Sequence, residues 1–155
     1  MTALLEAAVA RRAAPGSALA EDAERIARAC RDMAVRFHHG ARLLSFGAGA
    51  AAADAGHLAV EFTHPVLVGR PALPAISLAD DAAALTGAAQ AGGHAAAFAA
   101  RLRLLGRPGD IAVGVLTDDR FGAAAEALTA ARELGMLTVA LALPEGCPVA
   151  VDHLL

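Results

Sequence analysis

A histidine and a glutamate four positions apart are the residues of this sequence best suited to chemistry. His57 and Glu61 occur in the run DAGHLAVEF. If this run is helical, the two side chains share one helix face, about 6 Å apart. The carboxylate can then act as a base that moves a proton between adjacent carbons of a ketose, and the imidazole can hold the ligand or a divalent metal. The simpler alternative is a surface pair that contributes only about a few tenths of a kcal/mol.

Further ionisable residues extend this pair into a stripe. At steps of three, four and three residues, the stripe consists of Asp54, His57, Glu61 and His64. Two histidines and two carboxylates are a suitable set for zinc or another divalent ion. One straight helix rarely directs four side chains at one ion, and Pro65 bends the chain at His64. The sequence therefore indicates His57, Glu61 and His64 as a tentative metal set, which His94 or a second subunit would strengthen.

Two turns that follow predicted strands are candidate ligand-binding segments. They consist of Gly47, Ala48, Gly49, Ala50, Ala51 and Ala52 in FGAGAAAAD, and of Thr117, Asp118, Asp119 and Arg120 in LTDDRFGA. Main-chain amides and a helix N-terminus attract anions such as phosphate. The first turn has no hydroxyl, lysine or amide side chain, so only its main chain can contribute donors. In the second, two aspartates repel an anion, unless they face solvent or cap the next helix.

The elements that position these residues alternate along the chain. Periodicity and breakers predict helices over 2–13, ending near Pro15-Gly16, and over about 17–39, 50–62, 80–91, 94–105 and 123–134. Strands are predicted at 41–47, 74–79, 110–116 and 136–144, with a fifth near 149–151. Such alternation is typical of a parallel sheet covered on both faces, which binds ligands beyond the carboxyl ends of its strands.

Length, composition and net charge favour a single α/β domain and argue against nucleic-acid-binding and membrane proteins. The 155 residues fit one domain, with N-terminal helices over 1–40 and an α/β core over 41–155. Hydrophobic residues make up 57%, much of it alanine, which favours helix. The net charge of -3, mixed along the chain, argues against a nucleic-acid surface. We find no signal peptide and no membrane span, and expect Cys30 and Cys147 to be reduced. A cytoplasmic protein is the expectation.

The run FGAGAAAADAGHLAVEF resembles the signature of the sugar isomerase (SIS) domain in phosphoheptose isomerases, which typically reads GNGGSAADAQHxAAEF. The segments RPALPAISL, RLRLLGRPGDIAVGVLT and ARELGMLTVAL follow the same family pattern. The resemblance implies a three-layer, flavodoxin-like α/β sandwich with a parallel sheet of four to five strands. It also implies a homo-oligomer, a dimer or tetramer, with active sites between subunits. Glu61 would then be the catalytic base and His57 its neighbour. In some members of the family, the two corresponding residues also bind zinc.

Several positions depart from the family pattern. The family's asparagine and serine in the first turn correspond to Ala48 and Ala51, and of its STSGNS turn only Thr117 remains. An arginine of the family corresponds to Pro65. A last helix with a glutamine and an acid histidine has no aligned counterpart, and His153 is expected to lie in a frayed tail rather than replace it. We therefore expect binding of a sugar phosphate or other carbohydrate derivative with weakened or lost isomerase activity. The alternatives are a non-catalytic SIS module and a metal-holding accessory or maturation protein.

Overall fold

Five parallel strands form the centre of the fold. The computed structural model describes residues 2–117, 122–143 and 146–155. The helices are α1 Thr2–Glu21, α2 Ala23–His38, α3 Ala51–Thr63, α4 Ala82–Leu105 and α5 Ala123–Glu133. The strands are β1 Leu43–Gly47, β2 Ala75–Ser77, β3 Ile111–Leu116, β4 Leu137–Ala142 and β5 His153–Leu154. The predicted α/β class is confirmed.

The strand order determines where a ligand crevice opens. The sheet runs β2-β1-β3-β4-β5, so the chain leaves β1 towards one edge and continues from β3 towards the other. Gly47 at the end of β1 pairs with Val115 of β3, so the two turns named above leave the same edge of the sheet. Between β1 and β3 lies the switch point at which open α/β sheets bind ligands.

Two apolar layers hold the helices against the sheet. On one face, α4 and α5 pack on a cluster that includes Leu44, Phe46, Leu102 and Leu128. On the other, α2 and α3 pack on a cluster that includes Leu43, Ile111, Val113 and Val139. Neighbouring β1 residues therefore point to opposite faces, as in a sheet buried on both sides. The predicted three-layer sandwich is confirmed.

The N-terminal helices differ from the prediction. α1 continues through Pro15 to Glu21, whereas the sequence predicted an end near Pro15-Gly16, and α2 begins only at Ala23. Proline removes one helical hydrogen bond, but α1 is largely exposed, so water can solvate the freed carbonyl. Within the described part of the chain, every helix falls short of the length and apolar character needed to cross a bilayer.

The C-terminal segment was also predicted wrongly. The fifth strand is His153–Leu154, not 149–151, and it pairs in parallel with Val139 and Ala140. A carboxylate oxygen of Asp152 accepts hydrogen bonds from the main-chain N and the Oγ1 of Thr138, both at 2.8 Å, which sets this register. His153 is not frayed: its side chain is 15% exposed and its Nε2 lies 2.8 Å from an Asp32 oxygen.

Three predicted helix ends are confirmed. Gly40 follows α2 in a left-handed conformation (φ 82°). α3 stops at Thr63, and His64 before Pro65 is non-helical (φ -140°, ψ 69°). The predicted break at Gly92-Gly93 lies inside α4, where Gly93 is non-helical (φ 82°, ψ 167°).

Candidate functional site

The turn between β1 and α3 is built on a close main-chain contact. A Cβ atom on Gly47 would lie 2.7 Å from the Ala51 carbonyl oxygen, so only glycine permits this approach. Gly49 has a φ of 60°, a left-handed value that glycine adopts without strain. The sequence of the turn thus forces β1 directly into α3 and directs the start of that helix at the carboxyl edge of the sheet.

α3 packs through its alanines and presents its polar residues outward. Ala51, Ala55 and Ala59 are buried against the sheet. The buried Ser45 of β1 donates its hydroxyl hydrogen to the Ala55 carbonyl at 2.7 Å and fixes the helix on the strand. Because the alanine face of α3 is turned to the sheet, His57 lies on the opposite, exposed face of the helix.

His57 and Glu61 form the predicted pair. The His57 Nε2 and Glu61 Oε1 atoms are 3.0 Å apart, and the side chains are 72% and 40% exposed. A carboxylate in this position is accessible to a ligand and has an imidazole in hydrogen-bond contact. Such an exposed contact adds little to stability, and both side chains can be reached by a ligand from solvent.

The tentative metal set is not gathered in one chain. His64, beyond the end of α3, is exposed, as is Asp54 in the first turn of that helix. Among residues 2–117, 122–143 and 146–155, no group of three or more His, Cys, Asp or Glu side chains is placed to hold a metal. The His57–Glu61 pair supplies two ligands, whereas structural zinc takes four. These residues alone do not fit a complete zinc site.

A cavity of about 210 Å³ lies beside the first predicted turn. Its lining consists of Gly47, Ala48, Gly49, Ala52, Leu85, Thr86, Ala89, His94, Ala97, Phe98 and Ala123. Four of the six predicted turn residues therefore border the cavity, whereas Ala51 is buried beneath the turn and Ala50 is exposed outside it. His57 and Glu61 are absent from the lining and lie on the outer face of α3.

The second predicted turn is only partly described. Thr117 follows β3 in an exposed bend at the same edge of the sheet. Asp118, Asp119 and Arg120 lie outside the described residues, so their predicted contact with a ligand stays a prediction.

Sequence reasoning missed the wall of the cavity that α4 contributes. Leu85, Thr86, Ala89, Ala97 and Phe98 were not among the candidate residues, and His94 was considered only as a further metal ligand. Alanine and leucine on a helix carry no chemical pattern of their own. The one usable feature was the Gly92-Gly93 break, which sets a histidine at the start of a new helical segment.

Comparison with known proteins identifies the class. The family model described as SIS domain matches residues 10–142, and the chain belongs to this family. Within it, the chain is similar to phosphoheptose isomerases. It is 40% identical over 129 residues to that of Solidesulfovibrio magneticus, covering 83% of this chain and 63% of the relative. It is 46% identical over 100 residues to that of Desulfovibrio desulfuricans, covering 64% and 48%.

Solved structures agree with this assignment. The phosphoheptose isomerase of Neisseria gonorrhoeae superposes with a TM-score of 0.76 at 32% identity, covering 90% of this chain and 74% of the other. That of Francisella tularensis gives a TM-score of 0.77 at 27% identity. The chain spans 48–63% of the length of the first curated relatives it matches.

Proposed function

We propose that this chain binds a sugar phosphate or another carbohydrate derivative at the carboxyl edge of its sheet, and that its isomerase activity is weaker than that of phosphoheptose isomerases. The observation that carries the proposal is the cavity beside the β1–α3 turn, at the switch point of a SIS-domain sheet. Relatives named for the isomerisation of a heptose phosphate support a ligand of the same kind.

Weaker activity follows from the side chains of the turn. Ala48 borders the cavity and Ala51 lies beneath it, at positions where the family pattern has asparagine and serine. A hydrogen bond to a charged group contributes about 1.5–3 kcal/mol, so the donor missing at Ala48 weakens phosphate binding by about that amount. The main-chain amides of the turn and the start of α3 still favour an anion.

In the proposed reaction Glu61 is the base. Its carboxylate would take a proton from one carbon of the bound sugar and return it to the neighbouring carbon, while water carries the hydroxyl proton between the oxygens of the same two carbons. His57 would orient the carboxylate through the 3.0 Å contact. Because the pair lies on the outer face of α3, we propose that a second copy of the chain brings it against a ligand. The exposed loop residues Val66, Leu67 and Val68, at 77%, 64% and 104%, are consistent with such an assembly.

Three further expectations stay predictions. They are the dimeric or tetrameric assembly, the cytoplasmic location, and zinc bound by His57 and Glu61. Zinc would polarise an oxygen of the ligand as a Lewis acid, and its remaining ligands would have to come from another chain or from residues outside those described.

A non-catalytic SIS module is the second candidate function. It is favoured by the 72% exposure of the His57 side chain, outside the cavity that its own chain forms. In that case the cavity would bind a sugar derivative and α3 would present an ordinary exposed pair.

An isomerisation assay with sedoheptulose 7-phosphate and six-carbon sugar phosphates tests the proposal. We expect slow turnover that Glu61→Gln lowers by at least about 100-fold, with binding retained in calorimetry. Glu133→Gln is the matched control, because Glu133 is an exposed glutamate of α5, 3.8 Å from Arg103. Binding without turnover would establish the non-catalytic module, and the absence of binding by all sugar phosphates would refute both candidates.

A further inference from the structure

A second cavity lies at the amino edge of the sheet, opposite the candidate sugar site. It opens between the end of α2 and the two segments that lead into β1 and β3. Its volume is about 590 Å³, within the roughly 300–1,000 Å³ of typical ligand pockets. Thr117 and Leu143, after which the description of the chain is interrupted, follow β3 and β4 at the other, carboxyl edge. This cavity is therefore separate from the one beside the β1–α3 turn.

The second cavity has a basic lining in a chain whose net charge is -3. Among the described residues that line it, the ionisable side chains are Arg36, His39, Arg42, Arg107 and Asp110. Arg42 and Asp110 neutralise each other through a contact of 2.6 Å. Neither the Arg36 nor the Arg107 guanidinium forms a hydrogen bond or an ion pair within the part of the chain that the structure describes. The C-terminal ends of α2 and α4 add about -0.5 charge each, so the balance of these groups stays positive.

A turn fixed by Asp110 brings the two unpaired arginines to one place. The Asp110 main-chain N donates to the Arg107 carbonyl oxygen at 3.0 Å, and the Arg107 main-chain N donates to the Asp110 carboxylate at 3.1 Å. Gly109, in the same turn, has a φ of 90°, which glycine adopts without strain. The Arg36 Nη1 lies 3.8 Å from the position that a Cβ atom on Gly109 would have. The Arg36 guanidinium therefore lies beside the turn that carries Arg107.

We propose that this cavity is a second anion-binding site, and that it binds a small molecule carrying a phosphate group. The planar guanidinium of arginine presents N–H donors that match two oxygens of a phosphate. A dianionic phosphate also balances the two positive charges of Arg36 and Arg107. A volume of about 590 Å³ leaves room for the rest of a phosphorylated metabolite beside that group. The site goes beyond the proposed function, whose residues lie at the opposite edge of the sheet.

Calorimetric titration of the full chain with inorganic pyrophosphate tests the proposal. We expect saturable binding, which Arg36→Gln and Arg107→Gln each weaken by about 10–150-fold through loss of a hydrogen bond to a charged group. The melting temperature of Arg107→Gln should stay unchanged, because the side chain is exposed and the turn is held by main-chain atoms and Asp110. Arg103→Gln is the matched control: Arg103 is an exposed arginine in the last turn of α4, outside the lining of the cavity.

Three results would overturn the proposal. The first is the absence of pyrophosphate binding. The second is binding that neither Arg36→Gln nor Arg107→Gln weakens, because pyrophosphate would then be held elsewhere, for example at the β1–α3 turn. The third is an equal loss of affinity in Arg103→Gln, which would show an effect of overall charge rather than of this cavity. The isomerisation assay with sedoheptulose 7-phosphate is judged separately, since the proposed function uses none of these arginines.

Discussion

Asp110 holds together the two strands that lead to the candidate site, and its replacement by alanine should be severely destabilising. The carboxylate is buried at 4% exposure, directly before β3. Its oxygens accept hydrogen bonds from the main-chain N of Arg42 at 2.9 Å, from the Arg42 Nη2 at 2.6 Å and from the main-chain N of Arg107 at 3.1 Å. Arg42 directly precedes β1, so one side chain fixes the starts of β1 and β3.

The magnitude follows from what the substitution leaves behind. Asp110→Ala removes the acceptor of two main-chain N–H groups and of a guanidinium whose side chain is only 24% exposed. Breaking a buried ion pair by removing one partner costs about 3–5 kcal/mol. The free energy of unfolding of a typical domain is about 5–15 kcal/mol. The variant therefore loses a large part of its stability.

Urea denaturation followed by circular dichroism measures the effect. We expect the midpoint to fall by at least about 1 M, given slopes of about 1–3 kcal/mol/M. Glu133→Ala is the control: this exposed side chain lies 3.8 Å from Arg103, and its loss should stay within about 0.5 kcal/mol. Several protein concentrations should be used, because an oligomer gains apparent stability with concentration. A loss below about 1 kcal/mol in Asp110→Ala would refute the reasoning.

Three further predictions concern the turn itself. Gly47→Ala should cost at least about 2 kcal/mol in thermal unfolding, since its Cβ would lie 2.7 Å from the Ala51 carbonyl oxygen and the start of α3 must move. Ser45→Ala should cost about 1 kcal/mol, through loss of the buried 2.7 Å hydrogen bond to Ala55. Ala48→Asn should tighten binding of a sugar phosphate by about 10–150-fold in calorimetry, because it adds a donor to a charged group at the cavity wall.

The controls for these variants use the same chemistry elsewhere. Gly16→Ala adds a methyl group to α1 with no heavy atom within 4 Å, and should stabilise the helix by about 0.5–1 kcal/mol. Thr129→Ala removes a half-buried hydroxyl that donates to the Ala125 carbonyl within its own helix, so it should cost less than Ser45→Ala. Unchanged stability in Gly47→Ala would contradict the close contact assigned to this turn. A folded Ala48→Asn that binds sugar phosphate no more tightly would contradict the position assigned to Ala48 at the cavity wall.

Most of the fold could be predicted because strands and breakers recur in simple patterns. Gly40, Pro65 and Gly93 act through their own backbone geometry, and the ends they predicted were confirmed. The helix end predicted near Pro15 was wrong because a largely exposed helix tolerates a missing hydrogen bond. The fifth strand was misplaced because its register depends on Asp152 contacting Thr138, fourteen residues away.

The candidate site was predictable only where its residues carry a local pattern. The His57–Glu61 contact followed from helical spacing, and the turn around Gly47 followed from its glycines. The opposite wall of the cavity depends on how α4 lies across the sheet, which no spacing within α4 encodes. The position of His94 at the cavity was therefore not predicted, although the break before it was.

The strands at both edges of the sheet are short, three residues in β2 and two in β5. An edge of that length offers few unpaired main-chain groups to another chain, which protects against edge-to-edge pairing of sheets from different chains. Assembly of this protein into oligomers would accordingly use its helical surfaces. Its oligomeric state should then change with substitutions on α1 and on the outer face of α3, and stay the same when proline is placed in β2.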